Sequence, residues 1–140
     1  MKKIIYLLAF LFPVLGLAQT EKTVSVALEV GSYIKVNTCK KGAAEFQSMD
    51  VYARTNPYNK ANVDSLTGEG LLDEFFNDKS IDAKRLPCVM GGKKYKIGAL
   101  QEFEKDGETK RVALLYTAYP LTLIWVELDK ALELGEISLQ

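Results

Sequence analysis

The chain has 140 residues with 18 basic and 18 acidic side chains, so it lacks the cationic excess by which proteins grip nucleic acid. It contains no histidine and only two cysteines, which excludes the ordinary Ser-His-Asp and Cys-His hydrolases and the usual structural zinc sites. No cofactor motif is present, and neither a cofactor nor a metal is expected.

At the start, Lys2 and Lys3 precede an uncharged apolar run from Ile4 to Leu17, and the small residues Gly16 and Ala18 stand before Gln19. That is the layout of a secretory signal peptide cleaved after Ala18. A membrane anchor needs about 20 apolar residues; this run is shorter and is interrupted by Pro13. The expected organisation is a signal peptide over residues 1–18 and a single mainly-β domain over residues 19–140. The product is exported to the periplasm or the extracellular space, with no membrane span after cleavage. Losing Lys2 and Lys3 leaves 16 basic against 18 acidic side chains, a net charge of −2.

The periodicity that follows is mostly that of strands. In "TVSVALEV", Val24, Val26, Leu28 and Val30 alternate with smaller or polar residues, which predicts a half-buried strand ending at Gly31. "SYIKVN" resumes with Ile34 and Val36 on one side. "EFQSMDVYAR" places Met49, Val51 and Ala53 on one face and Tyr52 and Arg54 on the other. Residues 55–70 are rich in turn formers and read as a long loop. "LLDEFFND" then puts Leu71, Leu72, Phe75 and Phe76 on one helical stripe. Leu86 precedes a proline and is expected to be extended.

Two strand-like runs, "KKYKIGALQEFE" and "TKRVALLYT", are joined through Asp106-Gly107, a dipeptide suited to the positive φ angles of a tight hairpin. "LTLIWVEL" is nearly continuously apolar, which predicts a strand buried on both faces. It runs into a short helix in which Asp129 is expected to cap, Leu128 and Leu132 to face inward, and Gly135 to terminate. The fold expected is mainly β (α+β): a rolled antiparallel sheet or small β-barrel of about six strands with two short helices. The Phe75-Phe76 helix plugs one end or covers one face.

Cys39 and Cys88 lie 49 residues apart. In an exported chain the favoured reading is a disulfide between them, worth roughly 4 kcal/mol by loop closure. Such a bond holds its Cα atoms within about 7 Å. Lys40, Lys41, Lys93 and Lys94, with Arg85 nearby, would then share one rim suited to an acidic or phosphorylated partner. Gly91-Gly92 ahead of Lys93-Lys94 lacks phosphate-loop spacing and reads as a plain turn. The charges are also segregated. Asp64, Glu69, Asp73, Glu74, Asp78 and Asp82 fall in one stretch and Lys84, Arg85, Lys93, Lys94 and Lys96 in the next, as two solvated faces attracting each other across the fold.

Two further constellations bear on function. Tyr116 and Trp125, with Tyr119, are candidates for lining an apolar ligand cavity. Glu102, Glu104 and Glu127 are the carboxylates a glycosidase-like site would have to converge. The expectation drawn from all of this is a non-enzymatic, exported binding or structural module. It acts through a surface on a protein or envelope component that the sequence does not identify, an acidic one being what the lysine rim would suit, without nucleic acid. The alternatives are a carboxylate-based polysaccharide hydrolase and a β-barrel carrier of a small apolar ligand.

Overall fold

The computed structural model describes residues 28–139. The expected signal peptide, and residues 23–27 of the first expected strand, lie outside them. The described end of that strand is not extended pairing. Leu28 and Glu29 are irregular and Val30-Gly31 is a turn, closed where the Ser32 hydroxyl donates to the Glu29 carbonyl at 2.6 Å. Local hydroxyl-to-backbone bonding of this kind offers the chain an alternative to a ladder. Leu28 and Val30 still pack against the core, so at these two positions the alternation reported burial correctly, although no strand forms over 28–30.

Seven strands and two helices follow: β1 (Tyr33–Val36), β2 (Glu45–Ala53), α1 (Leu71–Phe76), β3 (Asp82–Pro87), β4 (Lys93–Lys105), β5 (Glu108–Tyr116), β6 (Thr122–Glu127), α2 (Leu128–Glu133) and β7 (Ile137–Leu139). They form one antiparallel sheet in the order β3-β2-β6-β5-β4-β1-β7. The sheet is a curled half-barrel with two short helices, as the rolled-sheet expectation requires. Five of the six expected strands are present among the described residues, and β3 and β7, the two edges, bring the sheet to seven.

The curl follows from the core. Side chains from both ends of the strand order meet in one buried cluster: Ile34 and Val36 of β1 and Ile137 of β7 with Met49 and Val51 of β2 and Leu86 of β3. A flat seven-stranded sheet could not bring those ends together. Leu128 and Ala131 of α2 join the same concave core. Fully burying an aliphatic side chain of this size contributes about 1.5–3 kcal/mol, so this layer supplies most of the driving force.

Glu136, between α2 and β7, helps to hold the curl shut. The register of β2 on β3 shifts between Glu45 and Asp50, and within that bulge Phe46 and Ser48 face inward before Met49 and Val51 do. The Glu136 carboxylate accepts the backbone N–H of Gln47 at 3.0 Å and of Ser48 at 2.9 Å, together with the Ser48 hydroxyl. A carboxylate on the β7 side therefore satisfies donors that the bulge withdraws from the ladder.

The hairpin is as expected. Lys105 pairs with Glu108, and Asp106 (φ 53°) and Gly107 (φ 78°) make the two-residue turn. Its strand β4 carries a bulge where Ile97 faces Leu115 and Ala99 faces Leu114, leaving Gly98 as the extra residue. A side chain at Gly98 would start 2.7 Å from the Tyr116 ring and 2.8 Å from Leu71, so glycine is what lets α1 and Tyr116 close over the sheet.

Helix α2 departs from expectation at its start. Glu127 is the cap residue, without a side-chain bond, and Asp129 lies in the first turn. Because the helix begins at Leu128, the inward pair is Leu128 and Ala131, three residues apart, while Leu132 is 38% exposed.

Candidate functional site

Cys39 and Cys88 are bonded, with their Cα atoms 5.6 Å apart. The bond ties the β1–β2 connection to a 3-10 turn at Cys88–Met90, and Cys88 also donates its backbone N–H to the Ala44 carbonyl at 3.1 Å. At the same end of the sheet, Gly92 N–H donates to the Val36 carbonyl at 2.7 Å and Lys93 stands opposite Val36. The loop bearing the exposed Lys40 and Lys41 is thus held against the turn that leads into Lys93 and Lys94. Among the described residues, none of these four lysines forms an ion pair.

Strand geometry divides the second pair. Lys94 stands opposite Lys35, on the face away from the concave core, whereas Lys93 shares the side of Val36 and Tyr95. The sequence treated Lys93 and Lys94 as one feature; pleating sends them to opposite faces. It also turns Lys35, which no motif had singled out, toward Lys94. Two like charges directly opposite on neighbouring strands repel, so this strip is cationic without internal compensation.

Arg85 is not an open member of the rim. Its guanidinium donates to the Gln47 carbonyl at 2.8 Å and pairs with Asp50 at 3.4 Å across the β2–β3 ladder. The expected attraction between the acidic stretch 64–82 and the basic stretch 84–96 is likewise not made through ion pairs among the described residues. Asp78 pairs instead with Arg54, at 3.4 Å. Asp64 bonds the Leu66 and Thr67 amides, and Glu74 takes the Asn62 side-chain amide. Short-range turn and loop bonds take up these acids before any distant lysine does.

Tyr116 and Trp125 lie on the face opposite the concave core, within a second cluster built on Leu71, Phe75, Ala99, Val112, Leu114 and Leu123. They border different depressions. Tyr116 joins Tyr58, Val63 and Pro120 around a cleft of about 420 Å³. Trp125 joins Tyr52, Leu72, Asp73, Phe76 and Phe103 around an open groove of about 510 Å³. Tyr119 is a turn residue, 69% exposed. Tyr116 and Trp125 therefore sit beneath and beside α1 instead of inside the curl, and Tyr119 borders the cleft of Tyr116. Burial raises the Tyr116 phenol above its ordinary value; burial does the same at Tyr58, where Tyr116 adds to it and Arg54 opposes.

The carboxylates considered for hydrolysis do not converge. Glu127 stands opposite Val112, a member of the outer cluster, whereas Glu102 stands opposite Arg111, one residue out of phase. Strand alternation puts Glu102 and Glu104 on one face of the sheet and Glu127 on the other. Arg111 pairs with Asp129 at 2.6 Å, and that hydrogen bond raises its pKa.

The residue that sequence reading missed most is Arg54. It is 8% exposed, leaving β2 to reach under α1. Its guanidinium donates to the Asn56, Glu74 and Phe75 carbonyls at 2.6, 2.7 and 2.9 Å, and so caps the C-terminal end of the helix with a cation. Its place in the "YAR" alternation was the available signal, because it put Arg54 on the face that α1 covers. Comparison of the chain with protein-family models, with curated proteins and with solved structures finds no match.

Proposed function

We propose that this protein is an exported binding or structural module that works in the periplasm or outside the cell, docking an acidic partner through its disulfide-bonded end. The observation that carries the reading is the covalent tie between two basic segments. Cys39–Cys88 holds Lys40 and Lys41 beside the strand start that bears Lys93 and Lys94, and all four lysines are exposed. A disulfide persists where the surroundings are oxidising, which accords with export. Surface action is also favoured by the concave side, which is packed with aliphatic side chains where a carrier would need a chamber. Separation of Glu102 and Glu127 onto opposite faces argues in the same direction against a two-carboxylate hydrolase.

The test is retention of the exported protein on immobilised polyglutamate, with an uncharged matrix as the reference. Retention should fall steeply as salt rises, because exposed charge attraction is screened over about 8 Å at physiological ionic strength. It should also fall when Lys40, Lys41, Lys93 and Lys94 are all changed to Gln. Equal retention of the wild-type and four-Gln proteins would overturn the assignment of this end as the docking surface.

A further inference from the structure

The groove beside Trp125 has a composition that the docking reading does not use. Four rings, Tyr52, Phe76, Phe103 and Trp125, border it with Leu72, and its one charged lining residue is Asp73. The walls are set at angles to each other. Phe76 meets Trp125 edge-on at 90° with centroids 5.8 Å apart, while Phe103 lies nearly parallel to Trp125 at 5.7 Å. Tyr52 closes the arrangement at 5.0 Å from Phe76. Aromatic faces carry negative electrostatic potential and attract cations that come within about 6 Å of a ring centroid.

The buried cation Arg54 does not occupy these rings. Arg54 lies over Tyr58 and Phe75, at 5.5 and 5.8 Å, beneath the other side of α1. Asp73 is exposed and, among the described residues, makes no ion pair. The charges around the groove are mixed: Lys110 stands opposite Phe103, and Glu127 shares the outer face with Trp125. A purely apolar ligand would leave the Asp73 carboxylate unused. The groove's volume of about 510 Å³ fits a small ligand.

We propose that this groove binds a small organic cation, an alkylated ammonium group on a short apolar body, with Asp73 as counter-ion and the rings of Phe76, Phe103 and Trp125 as walls. The reading is independent of the lysine-bearing end, which recognises the opposite charge. Alkylated ammonium suits the site better than a bare one. Its methyl groups bury against the rings, and it gives up less hydration on entering than a compact, strongly hydrated ammonium does.

Trp125 is the single tryptophan of the chain, so its fluorescence reports on this groove alone. The experiment titrates the exported protein with choline and, separately, with 3,3-dimethylbutan-1-ol, the neutral carbon isostere of choline. Choline should give a saturable change at millimolar concentration, and the neutral alcohol should bind about tenfold more weakly because it lacks the cation. Asp73→Asn should reduce that preference while leaving the circular dichroism spectrum as it was. Phe103→Leu, followed by the same titration, should weaken choline more than the alcohol. Equal affinity for the two compounds would mean an apolar groove without charge recognition. No saturable change with choline would mean no such site. Either result overturns the proposal, and neither bears on polyglutamate retention.

Discussion

The two faces of the sheet are built on different terms. The concave face is mainly aliphatic and closed: Ile34, Val36, Met49, Leu86, Ile97, Leu115, Ile124 and Val126 are all fully buried, with the Phe46 ring sealed among them. The opposite face is aromatic and half-open. Leu71 and Phe75 are sealed, but Tyr52, Leu72, Phe76, Phe103 and Trp125 are only partly buried, because a helix of six residues cannot cover the strands beneath it. Each layer also has its own clamp. A disulfide and the Glu136 carboxylate fasten the concave side, whereas Arg54 pins the helix on the other. One layer supplies stability, and the second holds side chains in place while leaving them accessible.

The sharpest way to break that comparison is to truncate one residue of each layer. Ile124→Ala should cost about 4 kcal/mol, since it leaves a cavity in a close-packed core. Phe76→Ala should cost less than half as much, because its ring is already partly wet and the groove can take in water. Urea melts of the two variants decide the matter, and equal losses would mean that the outer layer is as much a core as the inner one.

The clamps are the next test. Cys39→Ser and Cys88→Ser should each cost about 2–4 kcal/mol by the loop-closure argument, and the double variant little more than either, as both remove the same link. Additive losses would point to separate packing roles for the two sulfurs. Arg54→Met should cost about 2–3 kcal/mol by stripping charged donors from buried helix carbonyls. The damage should stay local, with amide exchange accelerating in α1 while the concave strands keep their protection. Arg54→Lys should recover only part, because a single ammonium cannot reproduce the fork that serves three carbonyls. Uniform acceleration throughout the sheet would show that the two layers unfold as one.

At the hairpin, far from both clamps, Gly107→Val forces a β-branched residue to φ near 78°, at a cost of roughly 1–3 kcal/mol. An unchanged melting temperature would mean that the turn can re-form with another geometry.

What the sequence disclosed tracks how local each determinant is. The hairpin was legible because Asp106-Gly107 and the flanking alternation encode it within a few residues. The stripe of Leu71, Leu72, Phe75 and Phe76 likewise announced α1. The edge strands were not legible. β3 buries only Leu86 deeply, so it has no period to detect, and β7 has three residues whose pairing is decided by β1. Leu28 and Val30 show the converse error, an alternation that signals burial without a strand. At the candidate site the bond between the cysteines could be inferred from compartment and count. Withdrawal of Arg85 by Asp50 could not, because that partner lies across a ladder whose register only the folded sheet defines. The splitting of Lys93 from Lys94 was available from strand alternation, as was the placement of Trp125 out of phase with Ile124 and Val126.

The smallest expected effect concerns how the outer clamp responds to acid. The Asp78 carboxyl is held below its ordinary value of 3.8, first by the Ser80 backbone N–H and then by the Ser80 hydroxyl. Desolvation opposes them, and Asn56 and Arg54 add smaller lowering contributions. A carboxylate whose folded pKa is depressed contributes stability that is fully present above its unfolded value and is lost as pH falls through the folded one. Wild-type protein and Asp78→Asn should therefore differ by a constant amount near neutrality and converge only below pH 3.8. The order of causes can be checked by following the Asp78 carboxyl carbon by NMR. Ser80→Ala, which removes the hydroxyl but keeps the amide, should raise its titration midpoint more than Arg54→Met does. If Arg54→Met produced the larger rise, the ion pair with Arg54 would outweigh the Ser80 hydroxyl at Asp78.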